Sequence, residues 1–243
     1  MARQRKSHAG AVGRLSFGPS AEDGLVPKTL AFIRRQLPAW RDDPRRPKEK
    51  SERRLNSSRC DFLDCRSRND LPMARFKHES PQSGTRTADM GVHGNAEATL
   101  IGVRSYSLYK PFLVIEAKRL PAPGADRERE YVTGTDRASG SPTGGIQRFK
   151  LGLHGSDVEI AAMVGYIQDQ SPEHWHRSIN TWIDDLVGVT SPDGCVWKKA
   201  DRLQSLQTHA GDRTAFSVSA HERRCECATS KIEIHHLWVV MES

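Results

Sequence analysis

Apolar residues return along this chain in two rhythms, a helical one near 3.6 residues and a strand-like one of two, and each predicts an element where it runs. Leu30, Phe32, Ile33 and Leu37 recur at near-helical spacing. Pro27 suits a first turn and Pro38 threatens the far end, so a short amphipathic helix is expected. Over residues 41–59 the pattern is lost in charge, with Pro44 and Pro47 among the basic residues, which predicts a connector. Residues 61–72 show no period that assigns them. Residues 73–79 alternate apolar with charged side chains and predict a half-exposed strand ended by Ser80-Pro81. A turn around Gly84 leads to a second short strand over 87–93, with Asp89, Gly91 and His93 on one face.

Residues 99–103 and 106–110 then lead into the most apolar run of the chain, Pro-Phe-Leu-Val-Ile-Glu-Ala-Lys-Arg-Leu at 111–120. It reads as a buried strand. The Pro-, Gly- and charge-rich stretch 121–141 predicts a loop, and Ile146, Phe149, Leu151 and Leu153 predict a helix entered at Thr143 or Gly144 and ended by Gly152 and Gly155. Residues 158–167 are continuously apolar and predict another buried strand. Ser171 as N-cap and Pro172 in the first turn open a helix whose stripe is Trp175, Ile179, Trp182, Ile183 and Leu186. Beyond Gly188 the pattern weakens until residues 231–240, a closing strand, with 215–219 as an extra one.

At 243 residues, 36% hydrophobic and 28% charged, the chain has room for one sizeable domain and for segments outside it. Residues 1–23, basic and without period, are expected to form a mobile arm, leaving 24–243 as a single domain. The formal net charge of +7 favours a polyanionic partner. No apolar run approaches membrane-spanning length and no apolar signal segment opens the chain. Five cysteines, an odd number, do not suit a disulfide framework. A cytoplasmic protein with no membrane partner is therefore expected.

The candidate chemistry lies in the run 111–120. Glu116 and Lys118 stand two apart, so they share a face, and burying such groups is costly unless they are paired or hold a cation. An exposed strand-end ion pair is the alternative that needs no chemistry. With Asp89 on the preceding strand and the order helix, strand, strand, strand, helix, strand, the chain resembles the PD-(D/E)xK, or restriction-endonuclease-like, nuclease superfamily over residues 73–186. Ala88 stands where that motif has proline. The resemblance implies an α/β fold with a mixed central sheet flanked by helices, and a metal-dependent nuclease acting on DNA more than RNA. It implies Mg²⁺, or Mn²⁺, held by Asp89, Glu116 and the Ala117 carbonyl, with Lys118 beside the attacking water. Glu79 is a candidate further carboxylate and Gln147 a candidate contact to water or substrate. Arg119, Arg148 and Lys150 are candidate phosphate contacts. Cleavage of both strands would favour a homodimer. The rival reading is a nucleic-acid-binding protein that keeps the fold without cleaving. A zinc-stabilised interaction protein is a third, resting on Cys225 and Cys227 with His221, His235 and His236, whose spacing fits zinc poorly. Cys60 and Cys65 lack a second ligand pair.

Overall fold

The run expected to be most buried forms β5 (Leu113–Leu120), in which every residue but Arg119 is buried. The computed structural model describes residues 24–48, 51–82, 84–224 and 226–241. The arm assigned to residues 1–23, and Cys225, therefore lie outside the described residues.

β5 pairs in parallel with β6 (Ile160–Ile167), in register from Val114–Ala161 to Leu120–Ile167. β6 pairs in parallel with β9 (Lys231–Val240). β5 and β6 are covered on both sides, which is why they read as continuous apolar runs and not as alternation. On one flank β5 is joined antiparallel by β2 (Thr87–Gly94) and then β1 (Ala74–Pro81). On the other, β8 (Thr214–Glu222) and the short β7 (Gln207–His209) continue the sheet antiparallel from β9. The result is a seven-stranded mixed sheet in the order β1-β2-β5-β6-β9-β8-β7. The fold is thus α/β, with helices flanking a mixed sheet.

Helices α1 (Leu25–Arg41) and α2 (Glu52–Asp70) pack on the face that carries Tyr166, where the Trp40 ring lies 5.7 Å away and Asn56 accepts from the Tyr166 hydroxyl. Helices α3 (Gly145–Lys150) and α4 (Pro172–Leu186) lie on the face of Met163 and Trp238. α4 begins with Ser171 as its N-cap, accepting from the His174 amide, and Pro172 in the first turn, as the sequence predicts.

Several expectations need correction. The charged connector and the unassigned segment after it are largely one helix, α2. Its buried positions Leu55, Asn56, Arg59, Cys60, Leu63 and Ser67 do recur at helical spacing, but half of them are polar, so the stripe is invisible to a hydrophobic pattern. α1 runs past Pro38, because Trp40 and Arg41 are buried beyond it and Arg41 donates to the Asp212 carbonyl at 2.6 Å. Residues expected only to lead into β5 form a separate hairpin, β3 (Ala98–Ile101) with β4 (Arg104–Ser107). The stretch 121–141 contains a 3-10 turn, Ala125–Tyr131, whose last residue is buried.

Candidate active site

β2 and β5 are in register from Val92–Leu113 to Met90–Ile115. One step further stands Asp89, whose Oδ2 accepts the Ala117 N–H at 2.7 Å, while its own N–H points to Glu116 Oε1 at 3.4 Å. The end of a strand pair has thus been closed by a carboxylate, and that carboxylate is set beside the acid of the neighbouring strand. Lys118, two residues past Glu116, shares its face by the strand alternation read from the sequence. Its ammonium lies 3.6 Å from Glu52 Oε1 and 4.0 Å from Glu130 Oε2. Asp89, Lys118, Glu52, Glu130, Arg127 and Arg148 line a cavity of about 840 Å³.

The charges at the site divide unevenly. Burial, and then the neighbouring Glu116, raise the Asp89 carboxyl above its ordinary range. Burial also opposes ionisation of Glu116, but His154, then Lys118 and Arg148, outweigh it and hold Glu116 low. His154 Nδ1 lies 2.6 Å from Glu116 Oε1, and an Arg148 nitrogen 3.5 Å from Oε2. Burial alone would discharge Lys118, yet Glu52, Glu116, Asp89 and Glu130 together raise its pKa. Of the two adjacent acids, Asp89 is the one less able to keep its charge.

The structure brings together Asp89, Glu116 and Lys118, with Arg148 beside them, and it gives Gln147, Glu79, Lys150 and Arg119 other partners. Gln147 is buried; its Oε1 accepts the Gly134 and Gly144 amides and its amide donates to Asp193 at 2.6 Å, so it braces the cavity wall. Glu79 pairs with Arg53 at the surface, and Glu52 from the first turn of α2 stands at the cavity instead. Lys150 is buried in a 2.7 Å ion pair with Asp201 and cannot meet a phosphate. Arg119 donates to Gln168 at 2.8 Å, its backbone N–H facing Glu52. Arg148 lies at the cavity, its charge directed to Glu116.

Glu52, Glu130 and His154 were not legible as site residues. Glu52 and Glu130 sit in charge-rich stretches where one acid looks like the next, and His154 is a lone histidine after a short helix. The zinc reading loses its histidines: His221 and His236 both hydrogen-bond Ser219, and His235 lies 2.7 Å from Glu233. Among the described residues no group of three or more His, Cys, Asp or Glu side chains is arranged to hold a metal ion. What the site offers a cation is two carboxylates and a carbonyl. Because the N–H and C=O of one strand residue point to the same edge, the Ala117 carbonyl lies on the edge where its N–H meets Asp89. This all-oxygen set fits Mg²⁺, which takes one or two carboxylates and keeps several waters.

No helix among the described residues is long and apolar enough to cross a membrane. Compared with family models, curated proteins and solved structures, the chain finds no match.

Proposed function

We propose that this chain is a divalent-metal-dependent nuclease, hydrolysing phosphodiester bonds of nucleic acid, DNA before RNA, on a restriction-endonuclease-like core. The observation that carries the reading is the seating of Asp89 against Glu116 and Ala117 where β2 leaves β5, with Lys118 at the same cavity. Asp89, Glu116 and the Ala117 carbonyl would hold Mg²⁺; Mn²⁺ accepts the same oxygen donors. When bound, the ion supplies a water of lowered pKa and neutralises charge on the phosphate. Burial and the neighbouring Glu116 raise the pKa of Asp89, and a cation bound beside it would oppose both. Lys118, kept protonated by the acids around it, is placed to stabilise a hydroxide and the charge that develops on the phosphoryl oxygens.

A second reading, binding without cleavage, is favoured by one feature: Glu116 is already engaged on both oxygens, by His154 and by Arg148. The two separate in one experiment. Plasmid and single-stranded DNA are incubated with the pure protein in Mg²⁺, in Mn²⁺ and in EDTA, beside Lys118→Ala. The nuclease reading expects cleavage with either metal and none in EDTA, with Lys118→Ala inactive but still binding metal by calorimetry. DNA binding without cleavage under every condition replaces it with the second.

A further inference from the structure

The face of the sheet opposite α2 contains a continuous chain of buried polar side chains that the proposed reaction does not use. Trp238 Nε1 donates to the Tyr131 hydroxyl at 2.8 Å, which lies 2.8 Å from His236 Nδ1. His236 Nε2 is 2.8 Å from Ser219 Oγ, which is 2.6 Å from His221 Nε2. His221 Nδ1 is 2.8 Å from Asp201 Oδ1, where Lys150 also donates at 2.7 Å.

The polarity of the chain follows from its end. Asp201 is held ionised against burial by its bonds from His221 and Lys150, so His221 must donate from Nδ1 and accept at Nε2. Ser219 then donates to His221, His236 donates to Ser219, and His236 Nδ1 is left to accept from Tyr131. Burial holds both histidines below their ordinary pKa, which keeps each neutral as this pattern requires. Asp201, His221 and Ser219 have the spacing of a hydrolytic triad. Ser219, however, has no exposure and already accepts from His236, so no substrate carbonyl can reach it.

At its other end the chain holds Tyr131, next in sequence to Glu130, which lines the cavity. Tyr131 is the last residue of the 3-10 turn, and Glu130 beside it meets Arg127 at 2.5 Å and faces Lys118. The turn's other ion pairs to residues outside it, Arg129 with Asp185 and Asp126 with Arg137, are half-exposed or more and of the kind that contributes little. We propose that Tyr131 is a positioning residue: its hydroxyl, gripped by Trp238 and by the tautomer of His236 that the chain enforces, fixes the turn that sets Glu130 against Lys118. This rests on the nuclease reading of Lys118.

The test compares the full chain with Tyr131→Phe and Glu130→Gln, by hydrogen exchange over residues 125–134 and by Mg²⁺-dependent cleavage of a DNA duplex. Tyr131→Phe is expected to speed exchange over 125–134 at least tenfold while β5 and β6 keep their protection. It should also lower kcat at least tenfold with KM changed less than threefold. Glu130→Gln should reproduce the loss in kcat with wild-type exchange. If Tyr131→Phe does not fold, Ser219→Ala, which interrupts the chain two links away, carries the exchange measurement with the same direction expected. Unchanged exchange over 125–134, or loosening spread evenly over the sheet, overturns the anchoring. Wild-type kcat in Glu130→Gln overturns the link to turnover. If the wild-type chain cleaves nothing, the nuclease reading fails instead, and the exchange comparison still decides whether Tyr131 fixes the turn.

Discussion

Asp89 is a carboxyl group kept where its charge is costly, and the cost has a measurable sign. A carboxyl whose pKa is raised by folding contributes stability that is fully present below its unfolded value, 3.8, and is lost as the pH rises through the folded one. At neutral pH the metal-free protein is therefore less stable than it would be with a neutral isostere at this position. Asp89→Asn keeps an oxygen for the Ala117 N–H, and each pKa unit removed is worth about 1.4 kcal/mol. We expect Asp89→Asn to melt at higher temperature than wild type at pH 7 without metal, with the difference vanishing below about pH 4. Adding Mg²⁺ should raise the wild-type melting temperature and leave Asp89→Asn unmoved. A mutant that melts lower than wild type at pH 7 would show that the acid is not under this tension.

At the scale of elements, α2 is the instructive case. It supplies Glu52 to the cavity from its first turn and packs against β1, β2 and β5, yet its inward stripe includes Asn56, Arg59 and Ser67. Asn56 accepts from the Tyr166 hydroxyl and Ser67 donates to the Asp64 carbonyl, while the Arg59 guanidinium, 5.4 Å from the Tyr166 ring centre, has that cation–π contact but no hydrogen-bond partner among the described residues. Leu63 has no exposure, and Leu63→Ala should cost about 2–5 kcal/mol, read by urea unfolding. A loss below 1 kcal/mol would mean that α2 is not docked as described. Pro38 makes the same point from the other side: a local signal to stop is overruled when the next turn carries Trp40 and Arg41 into the interior.

For the whole molecule, the net charge of +7 bears on partner and rate, not on fold. If nucleic acid is the partner, its affinity, measured in EDTA so that binding is read without cleavage, should fall about tenfold or more between 50 and 200 mM salt; a flat response would exclude phosphate contacts as the main attraction. The strongly periodic stretches declared themselves in the sequence. β5, β6 and α4 are where it puts them, because an element that buries a face must repeat apolar residues at its own period, and the alternating β1 is there too but runs on through the Ser80-Pro81 expected to end it. The adjacency of Glu116 and Lys118 on one face follows from alternation alone. What neighbours those residues was decided by tertiary structure. Only the β2–β5 pairing could seat Asp89 on the Ala117 amide, and only the docking of α2 and of the 3-10 turn could bring Glu52 and Glu130 to Lys118. Local sequence fixes which way a side chain points within its own element; the electrostatic surroundings that set its charge come from residues remote in the chain, and no period along the sequence encodes them.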